Sequence, residues 1–223
     1  MELPDQIGVM ILQGATLFPQ SMLPLYVFEP RYRRMLQDAL DSHRLFCVAM
    51  QRPTTSRESP ESVAGIGLIR ASVRHDNGTS HLILQGLTRV RLDKTVRYKP
   101  YRIHRIAPQP TIADEKKAVD NQMDQLRQLI ERRLELGFCF PGQGGGSGIK
   151  SGTSTVVKPK DILRYLDTLA DPEQVADMVA CSFLTDAGER QIILETSDLE
   201  LRLRHLTRYL AREIRRLEKE PPQ

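Results

Sequence analysis

The sequence predicts an α+β protein in which a β-rich first half, interrupted by one helix, precedes a helical second half. Short apolar runs bounded by Gly and Pro occupy much of residues 7–107. From residue 116 onwards, apolar residues recur every three or four positions instead. With 223 residues, 40% of them apolar, the chain is long enough to bury a core in one or two domains. We expect a β subdomain at residues 1–112 and an α-helical subdomain at residues 113–223.

Six strand segments are predicted in the first half. The turn between the fourth and fifth contains Asn77-Gly78, a pair typical of a two-residue type I′ hairpin turn. Gly86 interrupts the fifth segment and indicates a bulge. Pro100 in the last segment favours an edge or bulged position. The segments are 7–12, 23–28, 45–50, 65–75, 80–92 and 96–107.

Helices are predicted from residue spacing and from their first residues. In the first half, Pro30 suits the first position of a helix. The second half has periodic segments at 116–136, 172–184 and 198–219. The last of these has six apolar positions in a/d spacing, which we interpret as packing within the protein's own bundle. The Gly-rich stretch around residues 142–155 predicts a flexible loop.

Composition excludes several classes of protein. No apolar run approaches the roughly 18 residues that a membrane helix needs, and the N-terminus lacks the features of a secretory signal. Three scattered cysteines indicate reduced thiols, so we expect a cytoplasmic protein. The net charge of +4 is mild and both signs are interspersed, which permits nucleic-acid binding without demanding it.

Catalytic and metal-binding motifs are missing from the sequence. It contains no HExxH or GxSxG motif, and Ile149 separates Gly148 from Lys150, which breaks a phosphate-binding loop. His75 and His81 flank the predicted turn. A two-residue loop points these two side chains to opposite faces, and a longer loop would be needed to bring them together. We therefore predict no catalytic residue, no cofactor and no metal site.

The start of the predicted helix breaks a local rule. Arg31, Arg33 and Arg34 occupy its first turn, where the helix dipole disfavours cations. Such a break indicates a specific tertiary arrangement. We interpret Glu29 as a partly buried carboxylate that one of these arginines or Arg89 neutralises. A ligand-facing role for Glu29 is the alternative.

A series of motifs in fixed order covers roughly residues 3–217. The series closely resembles the N-terminal substrate-recognition (LON) domain of Lon-type ATP-dependent proteases. Its motifs are Phe18-Pro19, Pro24-Leu25, Phe28-Glu29-Pro30-Arg31-Tyr32-Arg33, Met35, Gly65-Ile66-Gly67, Gln85-Gly86-Leu87-Thr88-Arg89-Val90, Pro100-Tyr101, Asp177 with Ala180, Gln191-Ile192-Ile193-Leu194-Glu195 and Arg202-Leu203.

The resemblance implies a PUA-like β pseudo-barrel with one inserted helix, followed by a C-terminal helical bundle, the two together forming one LON domain. It implies recognition of unfolded or hydrophobic polypeptide segments without catalysis. The phosphate loop and the Ser–Lys dyad of a full Lon protease are missing, so the chain resembles a stand-alone LON-domain protein, an adaptor that works with an ATPase or protease partner. RNA binding is the alternative, because PUA-like barrels include RNA-binding modules.

Two sets of residues are singled out on this basis. Met22 and Leu23 in a Pro-bounded loop, together with Leu87 on a strand face opposite the core, are the candidate polypeptide contacts. The motif residues are assigned structural roles, and they are Phe18, Pro19, Pro24, Phe28, Glu29, Pro30, Arg31, Tyr32, Gly65, Gly86 and Arg89.

Overall fold

The residues that the structure describes form six strands and six helices, with most strands in the first half of the chain and most helices in the second. The strands are β1 (Gln6–Leu12), β2 (Met22–Val27), β3 (Leu45–Met50), β4 (Val63–Arg74), β5 (Ser80–Arg97) and β6 (Ile103–Pro108). The helices are α1 (Pro30–Leu40), α2 (Lys116–Glu135), α3 (Pro159–Thr168), α4 (Pro172–Phe183), α5 (Ala187–Glu195) and α6 (Leu199–Lys219). This computed structural model describes residues 2–53, 55, 58–113, 116–137 and 159–219. The predicted flexible loop at 142–155 lies outside the described residues.

The contacts divide the chain into two units. The first comprises Met1–Pro110 and Asp186–Ser197, and the second comprises Thr111–Thr185 and Asp198–Gln223. Helix α5 therefore groups with the strands, whereas the subdomain boundary predicted at residue 112 would place it in the α-helical subdomain. Within the first unit, Gln191 of α5 donates from Nε2 to the carbonyl of Val63 at 2.9 Å, which attaches this helix to β4.

Five strands of the first unit form a closed ring. The sheet order is β2-β5-β4-β3-β1-β6, and β6 pairs back onto β5. Strands β1 and β3 are parallel, and every other pair is antiparallel. Strand β5 is long enough to pair with β2 through its first half and with β6 through its second. The single predicted strand at 96–107 is wrong, since its first residues end β5 and the remainder forms β6.

Two apolar clusters form the core of this unit. One contains side chains from all five strands of the ring, including Ile7, Cys47, Ile66, Val90 and Ile106. The other packs the buried face of α1 against the opposite strand faces and includes Met10, Tyr32, Met35, Phe46, Leu82 and Leu84. Strand β3 is buried throughout because it contributes to both clusters.

Glycines allow the main chain before β2 to cross the sheet. A Cβ atom at Gly65 would lie 1.9 Å from the carbonyl oxygen of Leu17, and one at Gly86 would lie 1.9 Å from that of Phe18. Both distances are far inside van der Waals contact, so no larger residue fits. The N–H of Gly86 also donates to the carbonyl of Ser21 at 2.8 Å, which attaches the start of β2 to β5.

The predicted bulge at Gly86 is confirmed. Gly67 pairs with Gly86 and Ile66 pairs with Thr88, so Leu87 is the extra residue on β5. The bulge turns Leu87 toward the cluster inside the ring, where it is half-buried. The expectation that Leu87 lies opposite the core is therefore wrong.

The hairpin between β4 and β5 has a longer loop than predicted. The last ladder pair joins Arg74 to Ser80, and the N–H of His75 donates to the carbonyl of Thr79 at 2.9 Å. The N–H of Gly78 donates to the carbonyl of His75, and Gly78 has a φ of 78°. This is a three-residue loop with glycine in the left-handed position. The type I′ prediction is wrong, and with it the predicted divergence of His75 and His81.

Helix α1 is attached to β1 through a tyrosine. Tyr32 Oη accepts from the N–H of Ile11 at 3.0 Å and donates to its carbonyl at 3.2 Å. Strand β6 pairs with residues 6–8 of β1 and stops short of Ile11, so Tyr32 takes the place of a strand neighbour. Burial of the ring, with a smaller contribution from the Glu58 carboxylate, raises the pKa of Tyr32 to about 12.

Arg31 and Arg34 at the start of α1 have carboxylate partners, which offset the unfavourable helix dipole. Arg31 forms ion pairs with Glu29 and Glu58, which raise its pKa. Arg34 pairs with Asp38 at 3.0 Å, and Arg33 packs on Gly78 of the hairpin loop. The interpretation of Glu29 as a carboxylate neutralised by a neighbouring arginine is confirmed. Its side chain is 35% exposed, however, so this pair contributes less to stability than a buried one.

The second unit is a set of packed helices around a buried ion pair. Helix α6 packs against α2 and α4, and its apolar a/d residues are buried, among them Leu203, Leu206 and Leu210. The prediction that this helix packs within the protein's own bundle is confirmed. Arg202 is fully buried, with its Nη1 3.3 Å from Asp177 Oδ1 on α4. Its Nη2 donates to Thr111 Oγ1 at 3.0 Å. No described helix has the length and hydropathy needed to cross a bilayer.

We predict that Gly86→Ala destabilises the protein, because the new methyl group meets the backbone of Phe18 and the crossing segment must move. Overpacking of this kind costs about 3 kcal/mol. Urea unfolding followed by circular dichroism measures the loss. Gly188→Ala in α5 is the matched control, since its methyl group comes no closer than 3.1 Å to a carboxylate oxygen of Asp186. An equal change in the two variants would contradict the close crossing.

We predict that Tyr32→Phe lowers the free energy of unfolding by about 1–2 kcal/mol near neutral pH, because the Ile11 N–H loses its acceptor. The difference should narrow as pH rises from about 10 to 12. Over that range the unfolded wild-type chain releases the Tyr32 proton while the native state retains it, so wild-type stability is lost. Urea unfolding of both proteins across the pH range measures this. A difference that stays constant would contradict the raised pKa.

Candidate functional site

Exposed apolar side chains collect on the outer face of β2, β5 and β4. Alternate residues of β2 point outward, and directly paired residues of β5 and β4 share that face. Met22 is 54% exposed, Tyr26 48% and Phe28 58%. We call this surface the outer patch, and its members are Met22, Pro24, Tyr26, Phe28, Val73 and Ile83.

Aromatic contacts order the centre of the outer patch. The rings of Tyr26 and Phe28 are stacked with centroids 5.9 Å apart, and the His81 ring centroid lies 4.8 Å from that of Tyr26. Tyr26 Oη donates to Thr79 Oγ1 at 3.1 Å, which holds the phenol against the hairpin loop. These rings are fixed before any ligand arrives, so binding to them costs little side-chain entropy.

Strand β2 is also an open edge of the sheet. Within the described part of the chain it pairs with β5 alone. The carbonyl of Ser21 accepts from Gly86 on β5, so odd-numbered residues of β2 direct their main-chain groups toward β5. Pro24 is one of the even-numbered residues, whose main-chain groups face away from β5, so its missing N–H removes no hydrogen bond between β2 and β5. The amides of Met22 and Tyr26 consequently face the open side.

An open edge beside an apolar face can bind an extended polypeptide. The main-chain groups of β2 can extend the sheet by one strand, while the outer patch receives apolar side chains of that strand. Pro24 limits this addition, since it removes one donor from the edge. All six members of the outer patch are uncharged, which favours apolar segments over acidic or basic ones.

The three residues predicted to contact a polypeptide do not lie on one surface of the structure. Met22 lies on the outer patch as an exposed residue, whereas Leu23 points to the other face of β2 and packs against the α1 cluster. Leu87 packs inside the ring. Phe28, assigned a structural role from the motif, is instead among the most exposed apolar residues. Tyr26 and Ile83 were not predicted from the sequence. Because alternate residues of a strand share one face, the spacing of residues 22–28 would have placed Tyr26 beside Met22.

The other motif residues have structural positions. Phe18 is buried at the crossing point, where Gly86 makes room for its carbonyl and Gly65 for that of Leu17. Arg89 is buried to 2% exposure on β5. Cys47 is fully buried, and this burial raises the pKa of its thiol far above its usual range, which disfavours the reactive thiolate. Among the described residues, no group of three or more His, Cys, Asp or Glu side chains is placed to hold a metal ion.

Comparison with known proteins agrees with this architecture. Residues 6–212 match the family described as the ATP-dependent protease La (LON) substrate-binding domain. Similar curated proteins include the Lon protease of Dictyoglomus thermophilum, 25% identical over 97% of this chain, and that of Desulfosudis oleivorans, 25% identical over 94% of it. The chain spans only about a quarter of their length, 26% and 24% respectively.

Two solved structures share the fold. The N-terminal domain of the Mycobacterium avium complex Lon protease superposes with a TM-score of 0.70 at 18% identity, over 92% of this chain and 98% of that one. The Lon N-terminal domain protein from Xanthomonas campestris superposes with a TM-score of 0.61 at 18% identity, with the same coverage. The α+β fold and the resemblance noted in the sequence are thereby confirmed.

Proposed function

The chain belongs to the LON substrate-binding domain family, and from this we propose that it binds unfolded or apolar polypeptide segments at the outer patch and the open edge of β2. The observation that carries the proposal is the coincidence of an unpaired strand edge with the exposed side chains of Met22, Tyr26 and Phe28. A polypeptide needs main-chain partners and apolar contacts together, and this surface offers both.

Binding without catalysis is the second part of the proposal. The sequence has neither a phosphate-binding loop nor the Ser–Lys dyad of a Lon protease, and the match covers only the substrate-binding domain of that family. The two curated relatives named above are Lon proteases. We infer that the protein acts as an adaptor, presenting a bound segment to an ATP-dependent protease.

RNA binding is less well supported than polypeptide binding. Helix α6 carries six arginines, more than any other described helix, but Arg204 pairs with Glu200, and Glu213 pairs with both Arg216 of α6 and Arg133 of α2. Such pairing reduces the positive charge available to phosphates. The six residues that define the outer patch, by contrast, carry no charged side chain.

We predict that the protein binds a fluorescently labelled, permanently unfolded protein, and that Phe28→Ser weakens this binding about fivefold, since losing about 1 kcal/mol of apolar contact corresponds to that ratio. Fluorescence anisotropy at low and high salt measures the affinity. It should change little with salt, because burial of apolar surface is not screened.

The matched control for this experiment is Tyr98→Ser, which removes a ring outside the outer patch that is 66% exposed, against 58% for Phe28, and should leave binding unchanged. A labelled RNA serves as the competing ligand. Tight RNA binding that falls steeply with salt, without measurable binding of the unfolded protein, would overturn the proposal. An equal loss of affinity in Phe28→Ser and Tyr98→Ser would show that the binding site is not at the outer patch.

A further inference from the structure

Two histidines meet at the tip of the β4–β5 hairpin. His75 Nε2 lies 2.7 Å from His81 Nδ1, and the two rings are perpendicular with centroids 4.9 Å apart. Both side chains are exposed. The three-residue loop is responsible, since it places His75 opposite Thr79 and His81 opposite Val73, so the two histidines are diagonal neighbours on one face.

We propose that His75 and His81 form a binding site for one divalent transition-metal ion, of the class of Zn²⁺ and Cu²⁺. A contact of 2.7 Å between two ring nitrogens requires one of them to donate a proton to the lone pair of the other. When the donor ring takes its other neutral tautomer, with the proton on the ring nitrogen that faces away from the pair, His75 Nε2 and His81 Nδ1 both present lone pairs to the same point. Neutral imidazole is the commonest protein ligand for ions of this class.

The metal–ligand distances are compatible with this pair. Two nitrogens bound to one ion at about 2.1 Å lie roughly 3.0–3.4 Å apart, depending on the angle between the bonds. The observed separation of 2.7 Å must therefore widen by only a few tenths of an ångström. Because both side chains are exposed, small rotations of the rings achieve this without moving the core.

The backbone that carries the two histidines is fixed by hydrogen bonds. Asn77 Oδ1 accepts from the N–H of Thr79 at 3.0 Å and from its hydroxyl at 2.7 Å. Tyr26 Oη donates to the same hydroxyl from β2. The loop thus presents both imidazoles in one arrangement, which reduces the entropy lost when an ion binds.

Charges around the pair indicate a site of moderate affinity. Arg74 and Asp76 line the open cavity beside the histidines, and the Arg33 guanidinium packs on Gly78. The two cations oppose a bound dication and the carboxylate favours it. Among the described residues no group of three or more His, Cys, Asp or Glu forms around a common point, so water completes the coordination.

Isothermal titration calorimetry of the chelator-treated protein with Zn²⁺ alone and with Cu²⁺ alone tests the site. We expect one equivalent to bind, with Cu²⁺ tighter than Zn²⁺, and Mg²⁺ not to bind because it prefers oxygen ligands. His75→Asn and His81→Asn should each weaken binding at least about tenfold, since even the loss of an outer partner of a ligand costs about 10–100-fold. His43→Asn, which alters an exposed histidine outside the hairpin, is the matched control and should leave affinity unchanged.

Electron paramagnetic resonance of the Cu²⁺ complex gives a second readout. Two nitrogen ligands are expected in the wild type and one in each hairpin variant. Absence of Zn²⁺ and Cu²⁺ binding would overturn the proposal. So would unchanged affinity in either hairpin variant, an equal loss in His43→Asn, or a spectrum that is identical in all proteins. Since these readouts use the metal alone, they are independent of whether the outer patch binds polypeptides.

Discussion

The passage of the Leu17–Phe18 main chain across Gly65 and Gly86 is the constraint on which the first unit depends. The two carbonyl oxygens occupy the space that a Cβ atom would need, so the crossing segment and the sheet fit only with glycine at both positions. The crossing brings β2 alongside the first half of β5 and leaves its other side open. Helix α1 then begins three residues after β2 and closes over the strands through Tyr32.

Much of this arrangement could be predicted from local patterns. Apolar runs located most strands, Pro30 located α1, and Gly86 indicated the bulge. Helix α5 was not predicted, because its apolar residues Ile192, Ile193 and Leu194 form a continuous run without helical periodicity. The hairpin loop was misread because Asn-Gly also suits a three-residue loop with Gly78 alone in the left-handed region. Glu58 lies in an irregular connection where no periodicity points to its partner Arg31.

Prediction of the candidate site was poorer than prediction of the fold, for a physical reason. A buried residue is specified by its own hydrophobicity and spacing, whereas a surface patch depends on which strands become neighbours. Met22 was identified from the sequence, but Ile83 joins it only through the pairing of β2 with β5, and Val73 only through the pairing of β5 with β4. Likewise, the convergence of His75 and His81 depends on one residue of loop length. Both surfaces are consequences of register, which local sequence specifies weakly.

Residue-resolved amide exchange by NMR tests the central claim, that an extended polypeptide adds to the open edge of β2. In the free protein the amides of Met22 and Tyr26 should exchange quickly, while those of Leu23 and Leu25 are already protected by β5. Addition of a saturating unfolded polypeptide should slow exchange at Met22 and Tyr26 specifically. Binding that leaves those two amides unprotected, or that protects a different set of residues, would contradict the account.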